Sequence, residues 1–243
     1  MYNKIYNEQE DRYKYASGIR WHSYLVKKIL KCIPKYEVNS ILDIGCGEGQ
    51  KTYLLLKYFN NAKVLGIDFT EEGIKLANNI YFNVENLTFE KENVFNIDKN
   101  KINYDIVSCF EVLEHVEDWP SLLKKISDIS NKYVLVSVPT GKMRDYEKYV
   151  GHLRNFKRGE IEDFMNNNGF KTIKTFYAGF PFYSPLGRDW LNRNYDSMNG
   201  RLIRTQKIIQ TLMYILFRFF CFNNIRDSFF GLFEKHDLTV NSK

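Results

Sequence analysis

The chain is poor in the residues that mark several protein classes. Its 243 residues include four cysteines and five prolines, and the cysteines show neither paired nor metal-ligand spacing. This argues against a disulfide framework and a cysteine-based zinc site, and it favours a reducing compartment. The first residues are charged and carry no apolar run, which argues against a signal peptide. We therefore expect a cytoplasmic protein.

Long apolar runs are also scarce. The most apolar stretch, residues 202–222, contains Arg204, Lys207 and Arg218, and its apolar part is too short to span a bilayer. Two interpretations stay open for this stretch: a lid helix packed on the domain or on a second subunit, or a basic aromatic helix lying on a membrane surface. The net charge of +6 suits an acidic partner such as a phosphorylated substrate, an anionic membrane or RNA, and equally suits simple solubility.

Short apolar segments alternate with helical patterns along the chain. Strands are predicted at 40–44, 63–67, 87–91, 104–109, 133–138 and 170–177, and helices at 19–33, 49–59, 70–82, 120–129 and 158–168. This alternation predicts an α/β fold, a doubly wound and mostly parallel sheet with helices on both faces.

A glycine loop follows the first predicted strand. The segment Ile41-Leu-Asp-Ile-Gly-Cys-Gly-Glu-Gly49 runs from apolar residues into three glycines and then into a helical pattern. Glycines there let the backbone approach a ligand closely. Asp43 precedes the first glycine, where a carboxylate suits an ammonium group better than a pyrophosphate. Asp68 ends the second strand, where an acid can bind a ribose diol.

These residues resemble the class I S-adenosylmethionine-dependent methyltransferases. The resemblance spans roughly residues 38–176 and is carried by the glycine loop, by Gly66-x-Asp68 and by the later Glu111-Val-Leu-Glu-His115, in that order. It implies a Rossmann-like, seven-stranded sheet with a last, antiparallel strand at 227–235 and a helical insertion before it. The single domain then comprises an N-terminal helical cap (1–37), a cofactor-binding core (38–178), a helical lid (179–225), and the last strand and tail (226–243).

The resemblance also implies where S-adenosylmethionine binds. Nine residues are expected to contact it: Asp43, Gly45, Cys46, Gly47, Asp68, Phe69, Asn93, Val94 and Phe110. The loop would hold the methionine part, Asp68 the ribose hydroxyls, and Phe69 the adenine face. Asn93 replaces an acid that the family often has, and its carbonyl oxygen can accept from the adenine amino group. Arg20 either pairs with the cofactor's carboxylate or stays solvated.

A second motif, Glu111-x-x-Glu114-His115, carries acid–base groups. On a helical turn these positions face one side, so two carboxylates and an imidazole are expected to converge, with His152 completing the set. Such ligands favour Mg²⁺ or Mn²⁺ over zinc. The set is similar to that of ubiquinone-type O-methyltransferases and small-RNA 2′-O-methyltransferases, which use a metal to bind a hydroxyl. Without a metal, His115 or His152 serves as a base or positioning group.

The predicted activity is O-methylation. Glu111, Glu114, His115 and His152 are the clustered acid–base residues of the sequence, and a hydroxyl acceptor must lose a proton. The predicted acceptor is a sugar or glycan precursor, lipid- or nucleotide-linked, or another small hydroxyl-bearing metabolite. Alternatives are a metal-dependent enzyme acting on a quinone precursor or an RNA 2′-hydroxyl, and a non-catalytic cofactor-binding subunit. Nucleic acid is not the expected partner, because the sequence has no recognisable single-strand-binding module.

Overall fold

A seven-stranded sheet forms the centre of the fold in the computed structural model, which describes residues 14–98, 103–194 and 202–236. The strands are β1 (Ser40–Ile44), β2 (Lys63–Asp68), β3 (Leu87–Lys91), β4 (Tyr104–Phe110), β5 (Ser130–Pro139), β6 (Phe170–Ala178) and β7 (Ser228–Lys235). Their order is β3-β2-β1-β4-β5-β7-β6. The first five are parallel, whereas β7 runs antiparallel between β5 and β6. The predicted fold class is confirmed.

Helices cover both faces of the sheet. They are α1 (Ser17–Leu30), α2 (Gln50–Tyr58), α3 (Glu71–Tyr81), α4 (Trp119–Ile129), α5 (Asp145–Tyr149), α6 (Glu160–Asn167), α7 (Arg188–Asn194) and α8 (Arg204–Phe220). One apolar cluster lies under α1, α2 and α3, and a second lies under α4 and α6. Helix α4 begins one residue before the predicted helix, where Asp118 accepts a hydrogen bond from the amide of Ser121 and Pro120 occupies the first turn.

The predicted element bounds differ from the structure by a few residues. The largest strand difference is at β5, which begins at Ser130 because that residue pairs with Tyr104 across an irregular register. Thr70 occupies the N-cap position of α3, but its hydroxyl donates to Asp68 and accepts no hydrogen bond from a helix amide. That contact ties the start of α3 to the carboxyl end of β2.

The described residues of the long segment between β6 and β7 form helices, as predicted. A turn at Phe182–Gly187, kinked at Ser184, leads into α7, and α8 follows. Helix α8 packs along α1: the amide of Ser17 donates to Gln210 at 2.8 Å, and Phe217 is buried in the same cluster as Trp21. Among the described helices, none has the length and hydropathy that crossing a bilayer requires.

Candidate active site

The loop that follows β1 adopts a left-handed backbone conformation that favours glycine. Gly45, Gly47 and Gly49 all have φ between 52° and 82°, a region that residues with a side chain rarely adopt. The amides of Gly45 and Cys46 both donate to the carbonyl of Ile67, at 2.8 and 3.0 Å. The loop is therefore fastened to the neighbouring strand β2, at the edge where parallel α/β sheets bind ligands.

A cavity of about 300 Å³ lies against this loop. Eight residues line it: Asp43, Gly45, Cys46, Gly47, Glu48, Gln50, Lys51 and Phe110. Five of them belong to the sequence-predicted cofactor set. Asp43 lies at its base, where Ser108 and Thr52 donate hydroxyl hydrogen bonds to its carboxylate at 2.6 and 2.7 Å. One acidic side chain, fixed by two donors, is thus presented to any ligand in the cavity.

Burial raises the pKa of Asp43 from 3.8 to about 6, against the lowering effect of the Ser108 and Thr52 hydrogen bonds. The native state then keeps this proton to a higher pH than the unfolded chain does, so stability falls as pH rises from about 4 to about 6. Asp43→Asn keeps the shape and removes the titration. The variant is expected to gain about 3 kcal/mol relative to the parent between these pH values. Urea unfolding of the cofactor-free proteins measures this, and a pH-independent difference would contradict it.

The other predicted cofactor residues lie along the ends of β2 and β3. Asp68 accepts the amide of Gly47 at 2.9 Å, and its second oxygen accepts both the amide and the hydroxyl of Thr70. Three of the roughly four acceptor positions of this carboxylate are therefore filled, and one on the oxygen that accepts Gly47 would remain for a ribose hydroxyl. Phe69 is 80% exposed beside it, which leaves the ring free to pack on a ligand.

Asn93 and Val94 follow β3 at the same edge. The side-chain oxygen of Asn93 accepts the amide of Phe95 at 3.0 Å, and Val94 is buried. The Asn93 oxygen therefore already has one donor in the local turn. A second donor from a ligand can share that oxygen, because an amide carbonyl has two lone pairs.

Lys51 was not predicted from the sequence, yet it lines the cavity. Burial lowers its pKa to about 8, while the carboxylates of Glu111 and Asp43 act in the opposite direction. Its ammonium donates to Ser23 of α1 at 2.9 Å. The position of Lys51, just after the glycine loop, was the available signal, but its burial depends on α1 packing over it.

Glu111 lies at the end of β4, beside the cavity. Its backbone has φ 56°, a left-handed conformation that a residue with a side chain seldom takes, and Ser137 donates to its carboxylate at 2.7 Å. The helical turn starts only at Leu113. The predicted convergence of Glu111 with Glu114 and His115 on one helical face is therefore wrong, because β4 continues to Phe110 and the chain turns sharply at Glu111.

Three of the four predicted metal-ligating residues do come together. One atom each from Glu114, His115 and His152 lies within 4.8 Å of the others, and Glu111 is not in this group. Two ligands of one ion at about 2.0–2.3 Å lie at most about 4.6 Å apart, so small side-chain shifts suffice. We call these three residues the Glu-His-His group.

The Glu-His-His group contains polar atoms that lack partners. Glu114 has no exposed surface, and neither of its carboxylate oxygens nor Nδ1 of His152 has a hydrogen-bond partner. Burial, and then the charge of Glu111, raises the pKa of Glu114 well above its usual value. An unpaired buried carboxylate is costly, and a bound cation removes that cost. The group therefore fits a metal ion.

Backbone contacts hold the group in place. Nδ1 of His115 lies 3.0 Å from the carbonyl of Gly151, which makes Nδ1 the donor and leaves Nε2 with its lone pair. The amide of Leu153 donates to the carbonyl of Glu114 at 2.8 Å. The amide of His152 donates to the carbonyl of Glu147, whose side chain pairs with buried Arg188 of the insertion. The insertion thus stabilises the loop that carries His152.

A histidine–tyrosine pair lies near Lys51 of the donor cavity and Arg188 of the insertion. His22 Nε2 and the Tyr183 hydroxyl are 2.9 Å apart, and His22 packs edge-on against Phe230. Burial, aided by the charges of Lys51 and Arg188, lowers the pKa of His22 to about 3, so its ring is neutral. The pair joins α1 to the insertion across 161 residues, and sequence analysis gave no signal for it.

The sheet order, the left-handed glycine loop after β1 and the acids at the ends of β1 and β2 together define an S-adenosylmethionine-dependent methyltransferase of class I. A family model described as a methyltransferase domain matches residues 37–178. The chain belongs to that family.

Curated relatives are named ubiquinone biosynthesis O-methyltransferase. The protein of that name from Acinetobacter baumannii (strain ACICU) is 27% identical over 193 residues, an alignment that covers 65% of this chain and 73% of the relative. The one from Coxiella burnetii (strain Dugway 5J108-111) is 33% identical over 85 residues, covering 35% of this chain and 36% of the relative.

Solved structures share the fold. Magnesium protoporphyrin IX methyltransferase from Synechocystis PCC 6803 with bound SAH has a TM-score of 0.58 at 16% identity, covering 90% of this chain and 84% of that one. Coclaurine N-methyltransferase bound to N-methylheliamine and SAH also has a TM-score of 0.58, at 18% identity, covering 88% of this chain and 72% of that one. At such identities the likeness shows the fold alone.

Proposed function

We propose that the protein methylates an oxygen atom of a small hydroxyl-bearing acceptor, with a divalent cation held by the Glu-His-His group. The observation that carries this proposal is the buried carboxylate of Glu114, which has no hydrogen-bond partner and lies within ligand distance of two imidazoles. A site that transfers a methyl group to nitrogen or carbon does not need such a group.

The donor side of the reaction is assigned to the glycine-loop cavity. S-adenosylmethionine supplies an electrophilic methyl group there. Asp43 would bind the ammonium of the methionine part, Asp68 the ribose hydroxyls, and Phe69 the adenine face, and Phe110 would lie near the sulfonium. These residues bind and orient, and their part in the rate is to align the donor with the acceptor oxygen.

The acceptor side is assigned to Glu111 and the Glu-His-His group. A cation bound there would lower the pKa of an acceptor hydroxyl. Glu111 follows Phe110 of the donor cavity and precedes Glu114 of the Glu-His-His group in the chain, and burial raises its pKa, although the Ser137 hydrogen bond and the charges of Arg188 and Lys51 oppose the shift. A carboxylate whose pKa is raised is a better proton acceptor, so Glu111 takes the hydroxyl proton.

The structure changes which ion is expected. The sequence-based set had two carboxylates and favoured Mg²⁺ or Mn²⁺. Without Glu111, the ligands are one carboxylate and two imidazoles, and burial lowers the pKa of His152 to about 4, which keeps its ring neutral and able to ligate. Imidazole ligands favour transition metals, so Mn²⁺ or Zn²⁺ fits better than Mg²⁺.

The class of methyl acceptor is inferred from the names of the relatives. The relatives' names concern ubiquinone biosynthesis and favour a phenolic quinone precursor over the glycan precursor that the sequence suggested. Both are small hydroxyl-bearing molecules. Neither an RNA acceptor nor a non-catalytic role is favoured by these names.

Labelled methyl transfer from S-adenosylmethionine into fractionated cell extract tests the proposal. The expected result is label in the small-molecule or lipid fraction, as an alkali-stable methyl ether, lost with a chelator and restored by Mn²⁺ or Zn²⁺. Chelator-insensitive transfer would exclude the cation and leave proton removal to a side chain alone, either Glu111 or one of His115 and His152. Label in RNA or on nitrogen would contradict the proposal.

A further inference from the structure

A second pocket lies outside the donor cavity and the Glu-His-His group. It has a volume of about 530 Å³ and lies between α1, α2 and α8. Gln50 lines both this pocket and the donor cavity, and Ser23, which accepts from Lys51 of the donor cavity, lines this one. The second pocket therefore adjoins the place where the methyl donor binds.

The charge of this pocket is of one sign. Four of its ten lining residues are cations, namely Arg20, Lys27, Lys57 and Arg218, and none is a carboxylate. In the part of the chain that the structure describes, none of these four makes a salt bridge. Clustered like charges repel one another, so an arrangement of this kind is stabilised by an anion.

Aromatic rings hold the two arginines of the pocket in place without neutralising them. The guanidinium of Arg20 lies 4.0 Å from the ring centre of Tyr214 and donates to Thr211 at 3.2 Å. The guanidinium of Arg218 lies 5.1 Å from the ring centre of Tyr24. Contacts with a ring face orient a cation yet leave its hydrogen-bond donors for another partner.

We propose that this pocket binds a phosphate or diphosphate group carried by the methyl acceptor, an inference that rests on the proposed function. S-adenosylmethionine has no phosphate, so a phosphate bound in this pocket would belong to the second substrate. Arg20, for which one sequence-based expectation was pairing with the cofactor's carboxylate, lines this pocket and not the donor cavity. Guanidinium groups bind phosphate through paired donors, and two of the four cations are arginines.

The outer surface of α8 bears on where the phosphate comes from. Ile208, Leu212, Ile215 and Phe219 are all exposed and recur at helical spacing, next to the pocket-facing side of the same helix. We call these four residues the apolar arc. An acceptor with a phosphate and an apolar chain would contact both surfaces, so a soluble and a lipid-borne phosphate must be tested separately.

The test uses Lys57→Gln combined with Arg218→Gln, two exposed positions whose replacement leaves the core intact. The matched control is Lys171→Gln combined with Arg193→Gln, which removes the same charges from exposed positions outside the pocket. Calorimetry with inorganic pyrophosphate at low salt forms one arm, and flotation with phosphatidylcholine vesicles with or without phosphatidylglycerol forms the other. Each protein is also titrated with S-adenosylhomocysteine.

The pocket variant is expected to bind the phosphate probe about 3- to 20-fold more weakly than the parent, whereas the control binds normally. Pyrophosphate binding identifies a soluble phosphate group, and phosphatidylglycerol-dependent flotation without pyrophosphate binding identifies a lipid-borne one. All three proteins are expected to bind S-adenosylhomocysteine equally. A parent that binds S-adenosylhomocysteine but neither phosphate probe would overturn this inference and leave the proposed function standing. A pocket variant that loses S-adenosylhomocysteine affinity would also overturn it.

Discussion

Replacing Glu114 with glutamine is expected to lower the methyl-transfer rate by about 10²–10⁴-fold while leaving affinity for S-adenosylmethionine nearly unchanged. The variant keeps the size of the buried side chain and removes its charge, so a cation loses its one carboxylate ligand. Steady-state kinetics and calorimetry on the same protein separate the two effects, because a loss confined to kcat reports on the reacting groups and not on donor binding.

The matched control for this change is Glu117→Gln. Glu117 is exposed and lies three residues further along the chain, so its replacement removes one negative charge from the same segment without removing a residue of the Glu-His-His group. The control is expected to retain full activity. Equal losses in both variants would mean that the charge of the loop matters and that a cation at Glu114 does not. The apo form of Glu114→Gln is also expected to be at least as stable as the parent at neutral pH, because burial raises the pKa of the Glu114 carboxyl and so lowers the parent's stability as pH rises, whereas an amide does not titrate.

Replacing Asp68 with alanine is expected to weaken S-adenosylmethionine binding by about 1–3 kcal/mol, which is about 5- to 150-fold. The ribose hydroxyls lose a charged acceptor, and the glycine loop loses the bond from the amide of Gly47. Calorimetric titration measures the affinity directly.

Asp105→Ala is the control for that change. Asp105 lies at the amino end of the same sheet and accepts the amides of Asn39 and Ser40 at 2.8 and 3.1 Å. Its removal costs the fold a similar number of hydrogen bonds far from the cavity. The control is expected to lose stability without losing cofactor affinity. If Asp68→Ala bound S-adenosylmethionine as tightly as the parent, Asp68 would not be the residue that binds the ribose.

The residues of the candidate donor site could be predicted because they lie at the ends of successive strands, close to one another in the chain. Gly45 and Gly47 follow a buried strand and precede a helix, and Asp68 ends the next strand, so strand topology alone brings them to one edge. The seventh strand could be placed only through the resemblance, since its neighbours β5 and β6 are distant in the chain. The apolar residues of β7 are compatible with several places in a sheet, and only the strand order of the structure shows that β7 lies between β5 and β6.

Residues that meet across long separations could not be predicted in the same way. His22 and Tyr183 meet because α1 packs on the insertion, and Lys51 is covered by that same helix. Glu111 was misplaced for a different reason. A helical spacing was applied to a motif whose first residue belongs to a strand end, and a left-handed residue there was not foreseeable, since glutamate rarely adopts it.

The central claim is that a methyl-donor site and a cation site lie side by side at the carboxyl edge of the sheet. An anomalous difference map from crystals grown with S-adenosylhomocysteine and Mn²⁺ tests both halves at once. The account predicts nucleoside density between the glycine loop and Asp68, and one anomalous peak at about 2.0–2.3 Å from Glu114, His115 and His152. Nucleoside density at that position with no anomalous peak at the Glu-His-His group would contradict the cation, and nucleoside density elsewhere would contradict the donor site.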